Sequence, residues 1–294
     1  MARGLDHIVH AVSDLDAAAQ LYRRLGFKVG ARNQHPWGTH NHIVQLPGFF
    51  IELLTFAEPD KLGTDGFSKL FAAFNRDYIA RQNGLSMLIL ESRDAREDEC
   101  EFEAAGIAES KVMRFEREGK RPDGSPVKVA FSLVFANDRA APNVHFCTCR
   151  QHFPENFWNP AFQNHENGVQ EVRGVILVAA KPEDHRDFLR AYTGSEDFYT
   201  EPGEVSAWTP RGALSVMTPD RFAAAFGGPT PKSGSALQAI RFAVADVTQT
   251  RALMHKGGLK VRDQRDGFVV DAADAMGALL SFEPLEKSRH SRPS

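Results

Sequence analysis

Cysteine is scarce in this chain, with only Cys100, Cys147 and Cys149 among 294 residues. The count is odd and no Cys-x-x-Cys pair occurs, which argues against a disulfide framework or a zinc knuckle and for reduced thiols. The one-residue spacing of Cys147 and Cys149 is also a poor basis for a metal site. An excess of charge is missing too. With 35 basic against 38 acidic residues and a net charge of -3, nothing favours nucleic acid or an anionic membrane as partner. No apolar run approaches the length of a membrane span, and Met1 to Gly4 leads into an apolar segment without the cationic-then-apolar pattern of a secretory signal. The expectation is a cytoplasmic protein acting on a small molecule.

What is present is internal repetition. Gly4 to Leu15 aligns without a gap on Ala236 to Val247, each an apolar run suited to a strand followed by an Asp, Asp14 or Asp246, able to cap a helix. Both helices end in glycine, at Gly26 and at Gly257-Gly258. Short strand-like segments follow: Phe27 to Val29, His42 to Leu46 and Phe49 to Phe56 in the first copy, Leu259 to Val261, Gly267 to Asp271 and Ala278 to Phe282 in the last. Two weaker copies lie between them. One has a strand at Leu85 to Leu90, a helix from Asp94 to Ala105, and strands near Val127 to Phe135 and Asn143 to Cys149. The other has a strand at Val172 to Ala179, a helix from Pro182 to Tyr192, and a closing strand at Ala213 to Met217. The pattern is β-α-β-β-β, four times.

Residues 57 to 83 and 152 to 169 connect the copies, the first with a helical piece at Phe67 to Phe74, the second rich in His, Asn and aromatics. Segment 227 to 235 reads as a flexible link and the tail from Lys287 as disordered.

Leu5-Asp6-His7-Ile8-Val9, Val12-Ser13-Asp14-Leu15, Tyr22-Arg23-Arg24-Leu25-Gly26-Phe27, and the closing Phe49-Phe50-Ile51-Glu52-Leu53-Leu54-Thr55 carry a resemblance. The chain resembles the vicinal-oxygen-chelate superfamily, which includes glyoxalase I, bleomycin-resistance proteins and type I extradiol dioxygenases, and most of all its glyoxalase-like branch. The resemblance implies an α+β fold of four βαβββ modules paired into two cupped half-barrel domains. Residues 1–151 would form the glyoxalase-like domain, 152–169 a connector, and 170–286 a second, degenerate pair.

The resemblance also places metal ligands on the first and last strands of a module, and His7 and Glu52 match two such positions. Strand alternation agrees, putting Leu5, His7, Val9 and Ala11 on one face and Phe50, Glu52 and Leu54 on another. A carboxylate in so apolar a run needs a charge, hydrogen bonds or a metal to compensate it. Imidazole plus carboxylate suits Fe, Mn, Ni or Zn, with His145, His40 or His42 as the source of a further ligand. Trp37, His40 and His42 are the expected substrate-pocket residues, and Glu52 doubles as a candidate general base. The other modules offer Met87, Gly174 and Ala239 at the first-strand position and Ser215 and Ser281 at the closing strands of the third and fourth, so type I extradiol chemistry in the second half is not expected. The expectation is a metal-dependent isomerase or lyase on a small oxygenated metabolite, possible as a homodimer. The rival is a metal-free binding protein similar to bleomycin-resistance proteins.

Overall fold

The computed structural model describes residues 1–120, 125–228 and 234–285. The first module is β1 (Leu5–Ala11), α1 (Leu15–Arg24), β2 (Asn33–Gln34), β3 (Thr39–Leu46) and β4 (Phe49–Phe56). Asp14 caps α1 by accepting from Ala17 N at 2.8 Å. A connecting segment with a π-helical turn at Ser68–Ala73 runs into α2 (Phe74–Ile79). The second module follows with β5 (Gly84–Glu91), α3 (Ala95–Ala104), β6 (Met113–Lys120), β7 (Pro126–Ala136) and β8 (His145–Gln151), and then the short α4 (Pro154–Phe157). The third is β9 (Val169–Val178), α5 (Arg186–Thr193), β10 (Phe198–Glu201), β11 (Glu204–Trp208) and β12 (Ala213–Met217), trailed by α6 (Pro219–Phe226). The fourth is β13 (Ala236–Val244), α7 (Val247–Lys256), β14 (Arg262–Gln264), β15 (Gly267–Val270) and β16 (Leu279–Pro284).

Within every module the first and last strands pair in parallel: β1 with β4, β5 with β8, β9 with β12, β13 with β16. Opening strands then pair antiparallel across modules, β1 with β5 and β9 with β13. Each such pair of modules makes one cup. The cups belong to one 16-stranded sheet because β13 also meets β5, at Leu237 and Leu85. The fold is therefore the expected α+β arrangement of paired βαβββ modules.

Helices α1, α3, α5 and α7 share one apolar core against the convex faces, with Tyr22, Phe102, Tyr192 and Met254 all buried in it. The halves are pinned together there, for the Tyr192 hydroxyl donates to the carbonyls of Leu88 (2.7 Å) and Cys147 (2.9 Å). Each concave face is covered separately. Phe67, Phe71, Ala72 and Tyr78, from the segment that includes α2, lie on the first, and Phe222 and Phe226 of α6 lie on the second.

Several expected boundaries shift. Residues 27 to 32 and 259 to 261 are irregular, and the second strands of their modules come later, as β2 and β14. Strands β6, β10 and β11 and helix α6 were not foreseen. The flexible link at 227 to 235 lies partly outside the described residues, and the tail from Lys287 lies wholly outside them.

Candidate functional site in the first cup

The opening strand departs from simple alternation. Leu5 pairs with Leu90 and His7 with Ile89, so Asp6 is the extra residue of a β-bulge. The bulge sends Leu5 to the helix-side core, correcting its expected place beside His7, Val9 and Ala11. It also lets neighbouring side chains meet: His7 Nδ1 donates to Asp6 Oδ2 at 2.6 Å, and Gln151 Nε2 donates to Asp6 Oδ1 at 3.1 Å. A carboxylate on Nδ1 fixes the imidazole's tautomer and orientation and leaves Nε2 with its lone pair. The ring is further held by stacking on Phe50, with centroids 4.2 Å apart.

Glu52 lies two residues beyond Phe50 on β4, 5% exposed, in the same cavity as His7. Burial pushes its carboxyl above the usual carboxylate range, while His7, a hydrogen bond from Asn41 Nδ2 and the charge of Arg117 pull the other way. Asn41 is itself positioned by Asn33 Nδ2, which donates to its Oδ1 at 3.0 Å.

His35 stands across from Glu52, its Nε2 4.0 Å from Glu52 Oε1. Its Nδ1 bonds Thr39 Oγ1 at 2.8 Å inside the turn leading into β3. That turn requires Gly38, whose φ is +90° and where a Cβ would sit 2.3 Å from the Glu58 carbonyl oxygen. Burial drives the His35 pKa down to about 3, assisted by Arg117 and His40, so the ring is neutral near pH 7. Trp37, next in the turn, is sandwiched between His35 and Phe67, at 5.0 and 4.9 Å.

These groups wall a cavity of about 60 Å³, together with Phe71, Phe115, Phe131 and Phe157. Arg117 of β6 lines its mouth. Cys149 also lines it, but burial holds that thiol well above its ordinary pKa and it is not a thiolate.

Of the residues singled out in the sequence, His7, Glu52 and Trp37 come together. His40 and His42 do not. Alternation along β3 sends Asn41 and Ile43 into the cup and turns the two histidines to the other face. There His40 accepts from Arg32 and donates to Glu58, and His42 donates to the Gly30 carbonyl. His145 is not with them either. Glu52, Val9, Met87 and His145 occupy one row across β4, β1, β5 and β8, and three strand spacings of about 4.8 Å make roughly 14 Å. His145 instead donates to the Leu70 carbonyl and stacks on Phe74 at 3.6 Å.

Asp6, His35, Asn41 and Arg117 complete the site and were not picked out individually in the sequence. His35 and Asn41 stood inside the noted tract. The Asp6 bulge depends on the partner strand and has no local signal.

Among the described residues no three side chains of His, Cys, Asp and Glu are gathered as a ready-made metal cluster. The donors facing the cavity nonetheless fit a divalent cation in kind. Two imidazoles have Nδ1 engaged, which leaves Nε2 as the coordinating nitrogen, and one carboxylate is anchored by a single oxygen.

Among the described residues the second cup keeps no such set at the matching strand positions. A Cβ at Gly174 would lie 2.6 Å from the Ala213 carbonyl oxygen, Ser215 bonds Ser206 at 2.7 Å, and Ser281 donates to Gln264 and Glu283 at 3.1 Å.

Comparison with known proteins agrees with the architecture. A family model described as a glyoxalase-like domain matches residues 5–193, from β1 through α5 and so beyond the first two modules. Among solved structures, a hypothetical protein from Staphylococcus aureus superposes with a TM-score of 0.70 at 14% identity, covering 96% of this chain and 100% of its own. A xylose isomerase-like TIM barrel/4-hydroxyphenylpyruvate dioxygenase fusion protein gives 0.60 at 13% identity over 99% of this chain and 50% of the fusion. A mutant of 4-hydroxymandelate synthase from Streptomyces coelicolor gives 0.57 at 11% identity, over 96% of this chain and 92% of the synthase. No curated protein matches the sequence. Among the described residues no helix is long and apolar enough to cross a membrane. With the family model covering more than half of its length and this architecture behind it, the chain belongs to the glyoxalase-like domain family.

Proposed function

We propose that the first cup is the active site of an isomerase- or lyase-type enzyme acting on a small oxygenated metabolite. His7 and Glu52 would hold a divalent metal (Fe, Mn, Ni or Zn), with His35 in the role first expected of His145. The observation that carries this reading is the meeting of an Asp6-oriented imidazole and a buried carboxyl in one cavity. Such a cation, when bound, supplies Lewis-acid stabilisation of negative charge building on substrate oxygens. The chain's own residues do the rest. Asn41 holds one Glu52 oxygen, leaving the other to take or return a proton, and a carboxyl raised by burial binds that proton more tightly than one in water. Asp6 engages His7 Nδ1 and so leaves Nε2 as the nitrogen that would meet the cation. Trp37, Phe67 and Phe71 exclude water, which strengthens every charge interaction within.

The test is the metal content of the purified protein, measured beside His7→Ala, His35→Ala and Glu52→Ala. Near-stoichiometric metal in the parent and loss in the three variants is expected. A parent free of metal, after refolding with each of the four cations, sinks the metal reading. That outcome favours the second reading, a binding or sequestering protein similar to bleomycin-resistance proteins, which the predominantly aromatic wall supports. This second reading predicts ligand-dependent thermal stabilisation without turnover.

A further inference from the structure

Two hydrogen-bond donors of the first cup are left over once the groups above are accounted for. The indole Nε1 of Trp37 is buried without a partner among the described residues, on a side chain only 7% exposed. An orphaned buried donor costs roughly what a lost hydrogen bond costs and calls for an explanation. The second is Arg117. Most charged side chains around it are matched on the outer face of β6, where Glu116 pairs with Arg114 (3.3 Å) and Lys128 (2.8 Å). The Arg117 guanidinium forms no hydrogen bond or ion pair with any described residue, although it lines the cavity and is partly withdrawn from water. Glu52 and His35 both feel its charge. A guanidinium is desolvated at a cost, and one that is not paired within the protein is suited to pairing with a ligand.

We infer that Arg117 and the Trp37 indole form a recognition site for the carboxylate of a small monoanionic substrate. The inference rests on the first cup being the ligand site proposed above. A planar carboxylate matches the fork of a guanidinium, and its second oxygen can accept from a nearby N–H. One cation without an ion-pair partner among the described residues calls for one negative charge, and a cavity of about 60 Å³ calls for a small molecule. A tetrahedral dianion such as phosphate would leave a charge unmatched beside Glu52. Arg117 is thereby a specificity residue, distinct from the donors assigned to the metal.

The probe is propionate, with propionamide as its uncharged isostere and inorganic phosphate as the competing anion. Binding is followed through the indole N–H resonance of Trp37 in the full-length protein, assigned with Trp37→Phe. Propionate should shift that resonance, and Arg117→Met should weaken binding by at least about tenfold, the loss of one charge-assisted hydrogen bond. Arg117→Lys, which keeps the charge without the fork, should fall between parent and Arg117→Met. Propionamide should bind parent and Arg117→Met alike. Arg117→Met should also retain the parent's metal content, which separates this inference from the metal reading. Propionate that fails to shift the Trp37 resonance, or binds Arg117→Met as tightly as the parent, overturns the proposal. So does phosphate binding more tightly than propionate.

Discussion

The two cups share a strand plan and differ in what is left unpaired. In the first, the connecting segment between modules covers part of the concave face and leaves a cavity that His7, His35, Glu52 and Arg117 all line. In the second, α6 covers part of the corresponding face with Phe222 and Phe226, beside a wider cavity of about 380 Å³ whose lining includes Arg241 and Glu283, and two of the arginines there are matched by acids. Arg241 bonds both oxygens of Glu283 at 2.7 Å, and Arg262 pairs with Asp271 at 2.6 Å. Duplicated topology does not duplicate chemistry: a site exists where oriented polar groups face space without cancelling one another.

The largest expected effect tests α6 as a structural plug. Phe222 is 1% exposed, and Phe222→Ala should cost about 3–5 kcal/mol of unfolding free energy through lost burial and a cavity. Urea unfolding measures this directly. Metal content and propionate binding in the first cup should be unchanged after correction for the unfolded fraction. A Phe222→Ala protein that stays stable while losing first-cup binding would break the division of labour between the halves.

Much of the strand and helix plan could be read in the sequence. Asp14, Asp94 and Asp246 sit just before helices and cap them, the last by accepting from Thr248 N and Gln249 N at 2.8 and 3.0 Å. Capping is local, so those starts were legible. His7 and Glu52 were legible because polar residues inside apolar strands demand an explanation. Strand β6 was missed although Met113, Phe115 and Arg117 alternate with Arg114, Glu116 and Glu118. Arg117 occupies an apolar position of that pattern, and the alternation was passed over. His40, His42 and His145 were misplaced for another reason. Which face of β3 turns inward, and how far β8 lies from β4, are set by pairing between distant segments that no local pattern encodes.

The next effect is acid sensitivity, and it should fall on the first half. Burial lowers the pKa of His10 and His145 to about 4 and of His35 to about 3. All three belong to the first two modules. A depressed imidazole pKa means that the unfolded chain binds the proton more readily. The stability these neutral rings permit is complete above the ordinary value near 6.5 and is lost as pH falls from there toward about 4. Each ring contributes a slope of up to about 1.4 kcal/mol per pH unit. Hydrogen exchange between pH 7 and 4.5 should show β3, β4 and β8 losing protection before β12 and β16. His145→Gln should flatten the pH dependence of the urea midpoint, and uniform loss across both cups would count against the comparison.

The smallest effect concerns the closed charges of the second cup. Arg241 and Glu283 are each less than a third exposed, so their mutual attraction is partly screened and offsets a partial desolvation. Arg241→Met alone leaves a carboxylate facing the cup and should cost about 1–3 kcal/mol. Replacing both residues, as Arg241→Met with Glu283→Met, removes the stranded charge and should recover most of that loss. A double-mutant cycle in urea isolates the coupling. Recovery identifies a pair retained for internal balance. If instead Arg241→Met costs nothing, the Glu283 carboxylate is content without its partner, and the second cup has to be viewed as chemically open like the first.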